Sequence, residues 1–192
     1  MLEAVVNKVV EGLVQKQIID DSEKDIYKYG YILLYEFVIN LVFAFIMGVM
    51  FKSLGEVLFF LFVYIPLRSF CGGWHADKIW KCTLISNIIL FLEIMCVKYV
   101  VQNVNFILLL LVFIVSVVII ICISPVETET KKISKIEGVT YKKIIKVITT
   151  VHILMLGMLT VMRVQNYIFI IVFAYIVQVS ILVPEKIKKT KQ

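Results

Sequence analysis

Apolar stretches separated by short polar segments organise this chain from one end to the other. At the start, Leu2, Val5, Val6, Val9, Val10, Leu13 and Val14 fall on one half of a helical wheel, opposite Lys8, Glu11 and Gln15. Residues 2–19 therefore predict an amphipathic helix at a membrane interface. The polar stretch Asp20 to Lys28 leads into Tyr31–Phe51, 21 residues broken only by Glu36 and Asn40 near its start. That length crosses a hydrocarbon core of about 30 Å. Next, residues 54–70 have an apolar centre, Val57–Leu67, of only 11 residues, ending in Pro66 and Arg68. A straight crossing needs at least about 17 residues, so this stretch predicts either a short span or a re-entrant segment. Residues 83–101, 106–124, 144–162 and 167–183 supply four further spans, divided by Gln102–Asn105, Pro125–Lys143 and Arg163–Asn166. The expected fold is an all-α integral membrane protein forming a single membrane domain over 1–192, with an amphipathic N-terminal helix plus six transmembrane or re-entrant helices.

Composition supports that reading, with 61% of 192 residues apolar and only 8 Gly and 3 Pro to interrupt them. Soluble domains average about 45–50% apolar. The first thirty residues carry charges throughout and no continuous apolar core, which predicts that no cleavable signal peptide precedes the spans. Charge then predicts orientation, because Lys and Arg near span ends stay in the cytoplasm. With the N-terminus inside, all but Lys52, Lys98 and Arg163 of the 20 basic residues fall on the cytoplasmic side, in a multi-pass arrangement with both termini cytoplasmic. The residues 125–143 then form a cytoplasmic basic loop. A net charge of +6 is accounted for by this orientation and by anionic membrane lipids, with no call for nucleic acid.

The candidate chemistry is concentrated in residues 68–82, Arg-Ser-Phe-Cys-Gly-Gly-Trp-His-Ala-Asp-Lys-Ile-Trp-Lys-Cys. Polar departures of this kind in an apolar chain mark a site. A cysteine peptidase needs a thiol nucleophile and an imidazole that takes its proton and returns it to the leaving amine. His75 and Cys82 supply both. On one straight helix their spacing of seven would leave them roughly 10.5 Å apart along the axis. The chain is therefore expected to bend around Gly72 and Gly73 and to place Cys82 near the start of the next helix, at the positive end of its dipole and beside Lys78 and Lys81.

At these residues the chain resembles the AgrB quorum-sensing endopeptidases of Gram-positive bacteria. The resemblance lies in Arg68, the Gly72-Gly73 turn, His75 followed by Ala76, and Cys82 seven residues after the His. Length, multiple spans, amphipathic start and Lys-rich loop are also similar. The resemblance implies a bacterial cell-membrane enzyme without a cofactor, in which His75 and Cys82 cleave the C-terminal tail from an AgrD-like propeptide. A side chain of the peptide would then capture the acyl-enzyme thioester to give a thiolactone or lactone ring. Arg68, Gly72 and Gly73 would support the site, and Lys131 and Lys132 could dock the substrate. Asp77 is poorly spaced to orient His75, so no third catalytic residue is identified.

The remaining chemistry-bearing residues have blander readings. Cys71, His75 and Cys82 offer only three local ligands where a closed metal site wants four. Cys96 and Cys122, inside apolar runs, are expected to be small buried hydrophobes. His152 and Glu93, inside spans, are expected to find hydrogen bonds between helices. Trp74 and Trp80 are expected to anchor at the interface. A homodimer would give residues 54–70 protein rather than lipid to pack against. Two other classes compete with the peptidase: a small transporter, which would show a second copy of a broken helix, and a non-catalytic signalling subunit, which would not need clustered His and Cys.

Overall fold

The computed structural model of the chain describes residues 2–74, 79–126 and 134–190. Among them are seven α-helices: α1 (Leu2–Gln15), α2 (Lys24–Met50), α3 (Leu54–Cys71), α4 (Ile79–Tyr99), α5 (Phe106–Ile123), α6 (Lys135–Val161) and α7 (Gln165–Thr190). Six of them, α2 to α7, are long and apolar enough to cross a membrane. Short 3-10 turns at Asp21–Glu23 and Val101–Asn103 join α1 to α2 and α4 to α5. The helical class and the six apolar helices are those that the sequence predicts.

Two helices reach well beyond the apolar runs. α2 starts at Lys24, seven residues before the apolar run, because the stretch ahead of Tyr31 holds no proline and a single glycine, Gly30, which a long helix tolerates. α6 starts at Lys135, inside the stretch read as a basic loop. A capping box fixes that start: Glu137 N–H donates to Ser134 Oγ at 3.2 Å, and Ser134 N–H donates to Glu137 Oε2 at 2.8 Å. Lys142, Lys143 and Lys146 consequently stand on an exposed helical surface. Residues 54–70 form an uninterrupted helix with Pro66 inside it. At 1.5 Å per residue its 18 residues span about 27 Å, close to the thickness of the hydrocarbon core.

α7 is the central helix. Ile170, Ile171, Ala174, Tyr175, Gln178 and Leu182 on it are fully buried, against Val57, Val63 and Leu67 of α3 and Leu109, Phe113 and Ile120 of α5. The Phe113 and Tyr175 rings meet edge to face at 4.8 Å. Outward positions such as Ile107, Leu111, Val115 and Val118 of α5 stay apolar and exposed, as expected of a surface solvated by lipid. α1 and the connection after it pack apart from this core, closing Val6, Val10 and Ile19 over Tyr31 and Ile32 of α2.

The buried polar groups divide in their satisfaction. His152 Nδ1 lies 3.2 Å from the Tyr175 hydroxyl, the interhelical bond expected of it. Glu93 is fully buried on α4 with no hydrogen-bond partner at either carboxyl oxygen, contrary to expectation. Cys96 is half-buried and Cys122 is exposed on α5, so neither is the buried hydrophobe expected. In an aqueous protein an apolar run turns its side chains inward, whereas here much of each run faces lipid.

Candidate active site

The site is built where α3 ends and α4 begins. α3 stops at Cys71 because Gly72 and Gly73 take φ values of +72° and +112°, in the left-handed region that only glycine enters without cost. Space imposes the same choice. A Cβ on Gly72 would lie 2.2 Å from the Val126 carbonyl oxygen, and one on Gly73 would lie 3.1 to 3.3 Å from Arg68 and Ile181.

Three hydrogen bonds, from the segment after α5 and from α7, hold this turn from outside. Val126 N–H donates to the Cys71 carbonyl at 3.0 Å, tying the segment after α5 to the end of α3. Gln178 of α7, fully buried, donates from Nε2 to the Gly72 carbonyl at 3.0 Å. Trp74 N–H donates to the Ile181 carbonyl at 3.3 Å. Arg68, on the last turn of α3, then clamps the turn internally: Nη1 donates to the Gly72 carbonyl at 2.5 Å and Nη2 to the Trp74 carbonyl at 2.6 Å. Charged donors on two carbonyls, each worth about 1.5–3 kcal/mol, fix the path of the chain from Gly72 to Trp74.

Cys82 enters from the other side as the fourth residue of α4. It is half-buried, and its thiol meets the carboxyl of Glu36 from α2 and the hydroxyl of Ser86 one turn along α4, with Arg68 nearby. Two cavities open on it. One, of about 430 Å³, lies among α2, α3 and the start of α6, and is lined in part by Glu36, Asn40, Gly72 and Tyr141. The other, of about 360 Å³, lies between α4 and α7 against Ile85, Ile89, Ile181 and Pro184. Tyr64, Arg68, Cys82 and Ser86 belong to both, so the sulfur sits at the junction of a two-sided trough.

Of the residues predicted from sequence, Arg68, Gly72, Gly73 and Cys82 come together here. His75, Lys131 and Lys132 lie outside the described residues. Cys71 borders the same turn but is completely buried, its thiol directed to Ser124. Trp74 and Trp80 are exposed, 41% and 60% respectively, as interfacial anchors would be. Among the described residues no three His, Cys, Asp or Glu side chains converge as metal ligands would.

A family model, Accessory gene regulator B, matches residues 6–182, nearly the whole chain, including Glu36, Arg68, Gly72, Gly73 and Cys82. The chain belongs to the AgrB family. Two AgrB-like relatives of Clostridium perfringens are similar to it over 106 residues: putative AgrB-like protein 2 of strain 13 at 26% identity, and a putative AgrB-like protein of strain SM101 at 27%. In each case the match covers 55% of this chain and spans about half, 48%, of the relative's length. No solved structure matches.

Sequence reasoning missed Glu36 and Gln178 as members of the site. The signal was present, since an ionisable or amide side chain inside an apolar span is a candidate by default.

Proposed function

We propose that this AgrB-family membrane protein is a cysteine endopeptidase of a quorum-sensing system, processing an AgrD-like propeptide at the cytoplasmic face of a bacterial membrane. The observation that carries this reading is the position of Cys82 at the junction of two cavities, beside a glycine turn that Arg68 clamps at Gly72 and Trp74. His75 is the proposed general base and acid. In the first step it takes the Cys82 thiol proton, a C–S bond forms to the scissile carbonyl carbon, the C–N bond breaks, and the proton passes to the leaving amine. In the second, a thiol or hydroxyl of the retained peptide attacks the thioester, closing the thiolactone or lactone and returning Cys82 to its thiol. Lys131 and Lys132, with the exposed lysines of α6, are proposed to receive an acidic part of the substrate, and charge asymmetry supports cytoplasmic termini.

The test is co-expression with the precursor. A small peptide gene beside this one, encoding an amphipathic start and an acidic end, would supply it. Release of the tail should require both His75 and Cys82, with His75→Ala and Cys82→Ala inserted normally but inactive. Processing that survives both substitutions would return the chain to a transporter or signalling subunit.

A further inference from the structure

The two cavities that meet at Cys82 differ in chemistry, and the difference has a direction. Beyond the Tyr64, Arg68, Cys82 and Ser86 that both cavities share, the wall between α4 and α7 is mostly apolar, with Ile85, Ile89, Ile181 and Pro184 beside the one hydroxyl of Ser180. On the α2 side the wall carries Glu36 and Asn40. These lie four residues apart, on one face of α2. Glu36 is 8% exposed, and both its Oε1 and the Oδ1 of Asn40 are buried without a hydrogen-bond partner. Unsatisfied buried acceptors are costly, and more so when charged. Two acceptors on one face of a cavity call for a ligand rich in N–H donors and bearing positive charge. The same cavity reaches Tyr141 of α6, whose ring packs edge to face on Phe70 at 5.6 Å. Lys142, Lys143 and Lys146 stand exposed on the same helix.

Peptide cleavage creates a group that fits this arrangement. Breaking the scissile C–N bond leaves a new amine on the released fragment, and with a pKa of about 7.7–8.0 that amine becomes ammonium by taking one further proton from water. The fragment's other end carries the substrate's C-terminal carboxylate. A released tail is thus positive at the end nearest the sulfur, where Glu36 meets Cys82, and negative at the far end, and the helix that borders the same cavity at Tyr141 carries exposed lysines.

Resting on the peptidase reading above, we propose that the substrate crosses Cys82 in one direction: the released C-terminal fragment occupies the cavity lined by Glu36 and Asn40, where Glu36 takes its nascent ammonium, and the retained acyl part occupies the apolar cavity between α4 and α7. Glu36 then favours the acyl-enzyme by holding the leaving group as ammonium, which cannot attack the thioester. The apolar cavity keeps the acyl part away from the charges that bind the tail.

A product-like probe tests this without knowledge of the native substrate. A synthetic hexapeptide with a free N-terminal amine, an apolar first residue and three glutamates toward its C-terminus should protect Cys82 of the full-length protein in liposomes from a small water-soluble maleimide. Protection is read as the ratio of labelling rates with and without peptide. N-acetylation of the probe should weaken protection about tenfold or more, the loss expected when a buried charge loses its partner. Glu36→Gln should weaken the free-amine probe to the same extent and leave the acetylated probe unchanged. Reversing Lys142, Lys143 and Lys146 to Glu should weaken both probes, whereas Ile85→Trp, which fills the other cavity, should leave the free-amine probe unaffected. Equal protection by free and acetylated probes, protection lost only in Ile85→Trp, or no protection at millimolar peptide would overturn the proposal. Acetylation is made on the unaltered protein, so folding does not enter. Failure of the peptidase reading itself would be seen separately, as precursor processing by Cys82→Ala.

Discussion

Arg68 and Trp74, six residues apart, are joined across the glycine turn by a 2.6 Å hydrogen bond from the guanidinium to the Trp74 carbonyl. The same side chain reaches the Gly72 carbonyl at 2.5 Å, so one residue on α3 sets the path of the chain on both sides of Gly73. A fork of rigid donors can do this and a single ammonium cannot.

Arg68→Lys should therefore behave nearly as Arg68→Ala. Both should insert and fold, and both should lose about 10- to 100-fold in precursor cleavage, since a misplacement of about 1 Å at a reacting group has that effect. Cleavage rates at matched protein levels check it. Wild-type rates in Arg68→Lys would remove the clamp from the account.

The two glycines should differ. Gly72→Ala puts a methyl 2.2 Å from the Val126 carbonyl oxygen and strains a backbone at φ +72°, so it must displace the segment after α5. Gly73→Ala meets neighbours only at 3.1 to 3.3 Å, although it too carries positive φ. Each is expected to lose about 1–3 kcal/mol from backbone strain, with Gly72→Ala losing more. Thermal unfolding in detergent should rank wild type above Gly73→Ala, and Gly73→Ala above Gly72→Ala.

Gln178→Leu keeps the volume on α7 but removes the donor to Gly72 O. The buried carbonyl retains Arg68, so the expected loss of stability is about 1 kcal/mol, with a several-fold fall in cleavage. Full activity with unchanged stability would make that hydrogen bond incidental.

Charge asymmetry yields a prediction about orientation. A reporter fused after Gln192 and one inserted near Gly138 should both be cytoplasmic, and one near Asn103 external. An external Gly138 would break the proposed arrangement of six crossings.

What the sequence made legible depends on range. The six apolar helices could be read from hydropathy, since each is a continuous local run. Arg68, Gly72, Gly73 and Cys82 could be read because they share fifteen residues of unusual composition. The partners that shape the site come from far away: Gln178 is 106 residues from the carbonyl it binds, and Glu36 reaches Cys82 from another helix. Glu36 stood out only as an interruption in an apolar run, and nothing local says which helix it will face. Cys96 and Cys122 went astray for a related reason, because an apolar run specifies a membrane and leaves open which of its faces meets lipid. α6 ran longer than its apolar part because Ser134 and Glu137 cap it among lysines.

The central claim, that Cys82 is the nucleophile, is tested most directly by trapping the acyl-enzyme. Wild-type protein mixed with precursor, quenched in acid and digested should yield the Cys82-containing peptide heavier by the mass of the retained precursor segment. Hydroxylamine should remove that adduct, and it should be absent from Cys82→Ala but present in Cys71→Ala. An adduct on Cys71, or complete processing by Cys82→Ala with an inactive Cys71→Ala, would move the nucleophile to the other side of the glycine turn and contradict the account.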